Sequence, residues 1–484
     1  MPLMFVAATA LSAQKTPADL DALVGRVVAE QHVVGASVLV AKDGKILLHR
    51  GYGLADLGLD VPTKDESVYH IVGPMLPFTG VAVMQLVDGG KIKLDDDISK
   101  YIPEFPMQGR HVTIRQLLDH TSGIVDYHYL GDPIEATSRQ PKALDEVMAL
   151  YAGKKWVNEP GAKWDWSISG FQLLVSIVER VSGQSFADYA KKNLFEPAGL
   201  EHTTYCDDYV LTRGLSHAYR RYGDGYVPAN ENDMAYNADL RICSTAGDLY
   251  KLWSALSNGK LLRAESFVAM QTPKGAAAQM NATDPRAQYG LALTINHEDD
   301  HRRFGQHGSL MGYSGSLYDF PNDHLVVVVL SNTEGQNAYA ITRALSRQIL
   351  SLAPLPAGPA PAGQRALDDI AVTAAERKQL DGTFVLAPDR VGADLHDSYA
   401  QYRKTIRVFD ENGRLMIQTL GDGPERLLKQ KDGTFARRSA PRAAVTITVS
   451  NGNATSLKIA SASLPLSGKR VGAGDPATFH AQLR

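Results

Sequence analysis

The sequence predicts an α/β protein in which helices flank an antiparallel sheet, followed by a small antiparallel β-barrel. Three observations lead to this prediction. Strand-like runs stand near both ends of residues 15–352, and the region between them is mostly helical. Short strands separated by Asn-Gly and Asp-Gly turns fill the remainder of the chain. With 484 residues the chain is too long for one ordinary core, so more than one domain is expected.

Changes in composition divide the chain into four parts. Residues 1–14 (MPLMFVAATALSAQ) are an apolar run that ends in small residues, typical of a secretory signal, although basic residues are missing at its start. Residues 15–352 form the helix-and-sheet domain, and 353–371 contain the Pro/Ala/Gly linker APLPAGPAPAG. Residues 372–484 form the barrel. The first segment predicts a periplasmic or secreted protein, and a short frayed terminus is the alternative.

Periodicity assigns the elements of the first domain in order. Residues 17–31 place apolar side chains on one helical face, and 36–53 alternate as two strands around a Lys-Asp-Gly turn. Residues 79–90 form a long apolar helix that ends at a glycine pair. Helices are expected up to about residue 265. Strands return within 288–332 as YGLALTI, HRRFGQHGSL and LVVVVLSN.

Charge and composition exclude several classes of partner. A net charge of −3 provides no basic surface for a nucleic acid. No apolar run reaches the ~18 residues that span a bilayer. The run from His297 to His301 (HEDDH) has the position of a charged hairpin turn and lacks zinc-site spacing, so we predict no metal and no cofactor. Cys206 and Cys243 could form one disulfide, which leaves the compartment undecided.

Longer motifs connect the chain to a known family. They include RGYGLADL, FTGVAVMQLVDGGKIKLDDDISKYIPEF, VTIRQLLDHTSGI, EPGAKWDWSISG and FGQHGSLMGYSG, in this order. With these motifs, residues from about 17 to 352 resemble the serine β-lactamase and penicillin-binding-protein family, in its esterase and D-peptidase branch. The C-terminal part resembles the lipocalin-like barrel that is often appended to such proteins. The resemblance implies the fold predicted above and a cleft between sheet and helices.

The catalytic motifs of that family are not retained here. The family's S-x-x-K serine and lysine align with Gly73 and Leu76. Its Y-x-N triplet aligns with Trp166, Ser167 and Ile168. The first position of its H-x-G motif aligns with Gln306. Glycine offers no nucleophile and leucine cannot transfer a proton, so the resemblance predicts loss of covalent acyl transfer by the family route.

Backbone donors and apolar side chains remain in the expected cleft. By the resemblance, the N–H groups of Gly73 and Ser309 occupy the oxyanion-hole positions, and neither donor depends on its side chain. The replacements Leu76, Trp166 and Ile168 are apolar and would suit a partly hydrophobic ligand. Decay of an unused site is an almost equally good explanation of the same replacements. The predicted binding residues are Gly73, Leu76, Tyr127, Tyr129, Trp166, Ile168, Gln306 and Ser309.

Other polar residues near the cleft are candidates for relocated chemistry. Asp126 and His128 follow the HTSG motif in the loop that borders the cleft in relatives, and they are candidate acid/base groups, although solvated loop residues are the commoner case. His307 is a third candidate, but strand alternation directs it away from Gln306. Ser167 and Ser309 are candidate nucleophiles without a neighbouring base in sequence. Asp165 is expected to face solvent by the same alternation.

Three functions are compatible with these observations. The first is a β-lactamase-related protein that binds, or acts non-covalently on, a small partly apolar carbonyl or carboxylate compound or peptide. The second is a hydrolase with relocated catalytic residues. The third is an interaction protein with a vestigial cleft. Serine-hydrolase activity by the family mechanism is not expected, and whether the protein is an enzyme of another kind stays open.

Overall fold

The computed structural model covers most of the chain. The described residues are 16–130, 144–206, 211–222, 225–229, 241–281, 284–355, 367–389, 403–420, 424–437, 443–460, 465–476 and 479. The predicted signal-like segment and most of the predicted linker lie outside these ranges. Within the described ranges, we find no helix whose length and apolar character would allow it to cross a bilayer.

Strands from both ends of the first domain meet in its central sheet. The strands of this domain are β1 (Gly35–Lys42), β2 (Lys45–Asp56), β3 (Val61–Pro62), β4 (Tyr69–His70), β5 (Thr204–Tyr205), β6 (Tyr219–Tyr222), β7 (Gly225–Pro228), β8 (Ile242–Ser244), β9 (Gln288–Tyr289), β10 (Thr294–Glu298), β11 (His301–Leu310), β12 (Tyr313–Phe320) and β13 (Leu325–Ser331). Eight of them form one sheet in the order β3-β2-β1-β13-β12-β11-β10-β9. Strand β1, near the start of the domain, pairs with β13, near its end, so both ends of the domain contribute to the same sheet.

Helices cover both faces of this sheet. They are α1 (Pro17–Glu30), α2 (Leu76–Asp88), α3 (Ile114–Leu118), α4 (Leu144–Tyr151), α5 (Ile168–Ser182), α6 (Phe186–Ala190), α7 (Glu196–Ala198), α8 (Ala246–Ser257), α9 (Ala264–Met270) and α10 (Asn337–Ile349), with a π-helix at Lys191–Phe195 and 3-10 turns at Ile98–Lys100, Tyr127–Leu130, Gly275–Gln279 and Pro321–Asp323. Helix α2 begins at Leu76, three residues before the predicted start.

The β-branched run of β13 is buried on both faces, which explains its composition. Val327 and Val329 pack with Leu20 of α1 and Ile341 of α10 on one side. Val328 packs on the other side, in the larger core that contains Phe78 of α2. The sheet therefore separates two hydrophobic cores, and Leu76 and Ile168, which align with the family's catalytic motifs, lie in the core on the side of α2 and α5.

Three stretches of the first domain differ from the sequence prediction. The run YGLALTI is split into β9 and β10, because Ala292 adopts φ +62° and its N–H donates to Leu118 O at 2.9 Å instead of to the sheet. Strand β12 was not predicted, since its glycine and serines lack a strand-like composition. Strands β5 to β8 interrupt the middle region that was predicted to be helical, and β4, β8 and β5 form a small separate sheet.

The charged HEDDH turn is more than a solvated hairpin. Asp299 and Asp300 form the turn, but the Glu298 side chain is fully buried. Its carboxylate accepts from Arg343 at 2.8 and 2.7 Å and from Arg347 at 2.7 Å, with Arg303 3.2 Å away. Burial acts to raise the pKa of Glu298, but the arginines outweigh it and hold the pKa below its usual value. A buried ion cluster thus joins this turn to α10.

The C-terminal part contains a closed eight-stranded antiparallel barrel. Helix α11 (Ala374–Leu380) precedes it, and Phe384, Ile406, Ile417 and Leu457 are among its fully or almost fully buried core residues. The predicted fold class, including the barrel, is confirmed. The barrel strands are β14 (Gly382–Pro388), β15 (Lys404–Glu411), β16 (Arg414–Thr419), β17 (Glu425–Lys429), β18 (Phe435–Arg437), β19 (Ala444–Ser450), β20 (Asn453–Ala460) and β21 (Leu466–Gly472).

Candidate functional site

The segment that leads from β4 into α2 is pressed against the central sheet. Gly73 is buried and adopts φ +86°, a conformation that residues with a side chain rarely adopt. A Cβ atom on Gly73 would lie 2.3 Å from the backbone N of Gly308 and 2.3 Å from the carbonyl carbon of His307. No side chain fits at this position without movement of the β11 backbone.

Two further glycines on the sheet make this close approach possible. Gly308 of β11 and Gly315 of β12 are paired in register. A Cβ on Gly308 would lie 2.9 Å from Gly73 N, and one on Gly315 would lie 2.6 Å from Val72 O. We call Gly73, Gly308 and Gly315 the glycine junction. At this junction the segment before α2 packs directly on the backbone of β11 and β12.

Contacts within the protein engage the N–H of Gly73 and the side chain of Ser309. The N–H of Gly73 donates to Met75 Sδ at 3.0 Å. The Ser309 hydroxyl donates to Tyr313 O at 3.1 Å and accepts from the N–H of Gly335 at 2.7 Å. Leu76 is fully buried in the core around α2. These contacts give Ser309 a structural role in the loops beside α10.

The second motif forms the beginning of α5. Ser167 is the N-cap, and its hydroxyl accepts from the N–H of Gly170 at 3.4 Å. The N–H of Ile168 donates to the Asp126 carboxylate at 2.7 Å. Ser167 and Ile168 are both buried. Asp165 is buried as well, in contrast to the predicted exposure, because it accepts from the side-chain amide of Asn158 at 3.0 Å.

An aromatic box surrounds a histidine that the sequence analysis did not single out. His120 follows α3 at φ +57° and is 1% exposed. Its ring centroid lies 4.4 Å from that of Trp166, 4.8 Å from Tyr289, 5.1 Å from Phe171 and 6.1 Å from Trp164. We call these five residues the aromatic box. Phe171 and Tyr289 are fully buried, whereas Trp164 and Trp166 are partly exposed, so the two tryptophans form the solvent side.

Two N–H donors in the aromatic box lack an acceptor. The N–H of Ser167 donates to His120 Nδ1 at 3.2 Å, so the neutral ring carries its proton on Nε2. Burial lowers the pKa of His120 to about 3, although the Asp126 carboxylate opposes this effect. Neither His120 Nε2 nor Trp164 Nε1 has a hydrogen-bond partner among the described residues, and both atoms are buried. Unsatisfied buried donors are rare in native proteins and call for an explanation.

The third motif connects the aromatic box to the sheet. The side-chain amide of Gln306 donates to the Tyr289 hydroxyl at 2.6 Å and to Ala292 O at 3.3 Å. Its carbonyl oxygen accepts from the Thr294 hydroxyl at 3.2 Å. Gln306, which aligns with the family's cation position, is 2% exposed. Its hydrogen bond to Tyr289 links the aromatic box to β11.

His307 lies on the opposite face of β11. Its ring is stacked 4.1 Å from that of Tyr339 on α10, and its Nδ1 is hydrogen-bonded to the Tyr318 hydroxyl at 2.7 Å. Burial, with a smaller contribution from Arg303, lowers the pKa of His307 to about 4. These contacts separate His307 from the aromatic box by the thickness of the sheet.

The loop after the HTSG motif forms an Asp–His pair. His128 Nδ1 lies 2.8 Å from Asp126 Oδ1, and the His128 side chain is 28% exposed. Burial would raise the pKa of Asp126, but His128 and two backbone N–H donors hold it below its usual value. Tyr127 is buried and stacks on His128 at 4.1 Å, while Tyr129 is partly exposed. Asp126 therefore fixes His128 and the start of α5 together.

Comparison with known proteins identifies the family. The family model of beta-lactamase matches residues 20–351, which is more than half of the chain. The chain belongs to the beta-lactamase family. The resemblance inferred from the motifs is confirmed.

Relatives of the beta-lactamase family extend this likeness. The chain is 28% identical over 361 residues to penicillin-binding protein 4* of Bacillus subtilis (strain 168), covering 70% of this chain and 78% of that protein. The octameric penicillin-binding protein homologue from Pyrococcus abyssi shares the fold with a TM-score of 0.60 and 21% identity, over 93% of this chain and 99% of that chain. The D-amino acid amidase from Ochrobactrum anthropi SV3 complexed with D-phenylalanine has a TM-score of 0.59 and 19% identity, over 69% and 98%.

A separate cavity of this beta-lactamase family member lies away from the motif positions. Its volume is about 460 Å³, and its lining includes Lys64, Arg213, His202 and His217. None of the residues aligned with the three catalytic motifs lines it.

Of the five residues of the aromatic box, the sequence predicted Trp166 as a binding residue but not the other four. His120 and Trp164 stand inside motifs that were quoted for the resemblance, and Tyr289 stands in a predicted strand. Their convergence depends on α3, α5 and β9 meeting in space, which no local pattern reports. A pair of tryptophans two residues apart was the one signal that could have marked the site.

Proposed function

We propose that this member of the beta-lactamase family binds a small, partly apolar carbonyl or carboxylate compound or peptide and does not hydrolyse it by acyl transfer. The observation that supports this most strongly is the glycine junction. Gly73 has φ +86°, and its missing side chain would overlap the β11 backbone. The main chain packed around Gly73 leaves no room for a serine side chain there, which supports the proposed absence of acyl transfer.

The aromatic box supports the chemistry of the ligand. Trp164 and Trp166 offer apolar surface at the solvent side, and His120 Nε2 and Trp164 Nε1 offer hydrogen-bond donors. A carbonyl or carboxylate oxygen would satisfy donors that otherwise cost about 1–3 kcal/mol each when buried. A small molecule with an aromatic or aliphatic group and one such oxygen matches both properties.

A non-covalent catalytic role of the same site is compatible with this proposal. An isomerase, lyase or cyclase would use the donors of the box to stabilise developing negative charge on a carbonyl oxygen. No nucleophile is required for such a reaction. Binding and non-covalent catalysis share the ligand, so they are tested by the same first experiment.

The Asp126–His128 pair favours a second candidate function. Because Asp126 accepts from His128 at 2.8 Å, the outward Nε2 of His128 could act as a base toward water. This would make the protein a hydrolase with relocated catalytic groups. The hydroxyl groups of Ser167 and Ser309 are both engaged in structural hydrogen bonds, so a water molecule is the nucleophile that this pair would use.

The first experiment separates acyl transfer from binding. The purified protein is incubated with benzylpenicillin, an activated ester and a fluorophosphonate, and its intact mass is recorded. We expect no mass increase with any of the three. An acyl or phosphonyl adduct would contradict the proposal, and peptide mapping would name the nucleophile. Hydrolysis of the ester with no detectable adduct, lost in the His128→Gln variant, would instead support the hydrolase with relocated catalytic groups.

The second experiment locates the ligand. D-phenylalanine, the molecule in the amidase complex, and benzylpenicillin are titrated while tryptophan fluorescence is followed. We expect saturable binding of at least one probe, weakened about tenfold to a hundredfold by Trp164→Phe, since one hydrogen bond to a charged group contributes about 1.5–3 kcal/mol. Trp156→Phe, at a tryptophan that packs with Arg110, is the matched control. Binding that resists Trp164→Phe but is lost in Arg213→Ala would place the ligand in the separate cavity.

An interaction protein with a vestigial cleft is the outcome if neither probe binds and no turnover is seen. We further propose a periplasmic or secreted location. The signal-like residues 1–14 support it, as does the Cys206–Cys243 disulfide, because disulfides persist in oxidising compartments.

A further inference from the structure

A cluster of two cysteines and one histidine lies in the small sheet that precedes the glycine junction. In this sheet β8 is central, and Cys243 pairs with His70 of β4 and with Thr204 of β5. Cys206 follows β5, and its Cα lies 5.7 Å from that of Cys243, to which it is disulfide-bonded. Cys243 and Cys206 are 0% and 5% exposed, and His70 is 6% exposed.

The histidine of this cluster has a ring nitrogen without a partner. His70 Nδ1 is buried and has no hydrogen-bond partner among the described residues. The two sulfur atoms and a nitrogen of His70 all lie within 4.8 Å of one another. Purely structural disulfides do not need an imidazole beside them, whereas thiolates and imidazole together are the usual ligands of zinc.

We propose that reduction of the Cys206–Cys243 disulfide creates a Zn²⁺ site whose ligands are the two thiolates and the His70 imidazole. Two ligands of a tetrahedral zinc ion lie about 3.5–3.8 Å apart, as follows from bond lengths of about 2.3 Å to sulfur and 2.0 Å to nitrogen. The three ligand atoms already lie within 4.8 Å, so small side-chain movements suffice.

Charge balance favours Zn²⁺ over a monovalent soft ion. Two thiolates and a neutral imidazole compensate a divalent cation fully, whereas Cu⁺ would leave one negative charge in a buried site. Three protein ligands leave one coordination position for water, as in zinc sites with an open position. The disulfide and the metal are thus alternative links across the same three strands.

The conversion needs an external dithiol. The dithiol transfers two electrons and two protons to the disulfide and becomes a disulfide itself, which leaves two protein thiols. On metal binding each thiol releases its proton to solvent, while two Zn–S bonds and one Zn–N bond form. The inference goes beyond the proposed ligand-binding function and concerns other residues, so either one can fail alone.

The test compares the oxidised and reduced full-length protein. Protein purified as the disulfide is treated with dithiothreitol, desalted without oxygen, and titrated with Co²⁺ and then Zn²⁺. We expect one equivalent of metal per reduced chain, a thiolate-to-cobalt charge-transfer band that Zn²⁺ removes, and release of two protons per Zn²⁺. The oxidised protein should bind neither metal in this way.

Variants identify the ligands. The His70→Ala variant is purified in its disulfide form, so that its folding does not depend on metal. After reduction its Zn²⁺ affinity should fall by more than the about 10–100-fold that is typical when a residue hydrogen-bonded to a metal ligand is changed. His297→Ala, another histidine with an unpartnered buried Nδ1, is the matched control and should bind normally. Equal zinc affinity of His70→Ala and wild type, or two free thiols without metal binding, would overturn the proposal. If the reduced protein unfolds, refolding on addition of Zn²⁺ supports the site and its failure to refold rejects it.

Discussion

The glycine junction and the aromatic box both lie where the family's catalytic motifs align, and they differ in how their polar groups are engaged. At the junction, backbone packs on backbone, and the N–H of Gly73 is taken up by Met75. In the box, rings pack around His120, while two buried N–H donors remain without an acceptor among the described residues. The Gly73 N–H at the junction has an acceptor, whereas the described part of the chain supplies none for the two donors of the box. A function of this part of the molecule is therefore to be sought at the box.

The largest expected effect concerns the junction. Gly73→Ser places a side chain at φ +86° and 2.3 Å from the β11 backbone. Left-handed strain of about 1–2 kcal/mol and overpacking of about 1–3 kcal/mol predict a loss of about 2–5 kcal/mol in the free energy of unfolding. Chemical denaturation measures this loss. Adding Leu76→Lys, which buries an ammonium group, should destabilise further and give no hydrolysis.

Gly90→Ala supplies the control for that experiment. Gly90 also has a positive φ, +68°, but a Cβ there meets nothing within 4 Å. The Gly90→Ala substitution should lower the free energy of unfolding by only about 1–2 kcal/mol, the value expected for backbone strain alone. Equal losses at both positions would show that the junction is not closely packed, and a stable Gly73→Ser protein that hydrolyses esters would reject the proposed function.

The next effect concerns the pH dependence of the box. Burial lowers the pKa of His120 to about 3, so between pH 6.5 and 5 only the unfolded chain takes up a proton there. Stability therefore falls as pH falls, by about 2 kcal/mol over this window, since one pKa unit corresponds to 1.36 kcal/mol. In His120→Asn, which tolerates φ +57°, this part of the slope should vanish.

Measuring unfolding free energies at pH 7 and pH 5 for both proteins isolates that term. Asp119, whose pKa burial raises to about 6, contributes with the opposite sign, and subtraction of the two profiles removes it. His32→Asn, an exposed histidine at φ +52°, controls for the replacement of a left-handed histidine. Parallel profiles for wild type and His120→Asn would mean that the box admits a charged imidazole.

The smallest effect concerns the unused donor. Trp164→Phe removes a buried N–H for which the described residues offer no acceptor, at the cost of some apolar contact. The free energy of unfolding without ligand should change by less than about 1 kcal/mol, because the gain offsets the loss. A drop of several kcal/mol would show that Trp164 serves the fold alone. Thermal unfolding at constant pH measures the difference.

Local patterns predicted most of the fold and little of the site. The alternation of 36–53 and the valine run of β13 gave strands whose pairing closes the first domain. Strand β12 was not predicted, because its sequence YSGSLYDF lacks an apolar pattern, although every residue is buried between neighbouring elements. The alignment of Gly73 with the family's serine is a sequence prediction, but the φ of +86° and the contact of Gly73 with β11 could not be predicted from the sequence.

The aromatic box illustrates why such sites resist prediction. His120 reads as part of a turn motif, and only the convergence of α3, α5 and β9 buries its Nε2. Asp165 was expected to face solvent from strand alternation, but it precedes a helix cap, where that rule does not apply. In both cases packing between elements, which a local pattern does not show, decided the burial.

The ion cluster at Glu298 sets the minimum length of an autonomous first domain. Two of its three arginines, Arg343 and Arg347, belong to α10, and Arg347 also donates to Ala353 O at 2.6 Å. A fragment cut before α10 would keep every strand of the central sheet but leave a buried carboxylate with Arg303 alone. Removing partners from a buried charge costs about 3–5 kcal/mol, comparable to the whole stability of many domains. The same cut would remove Ile341 and Leu345 from the hydrophobic core, so ion pairing and core packing, and not strand pairing, limit where this domain can be truncated.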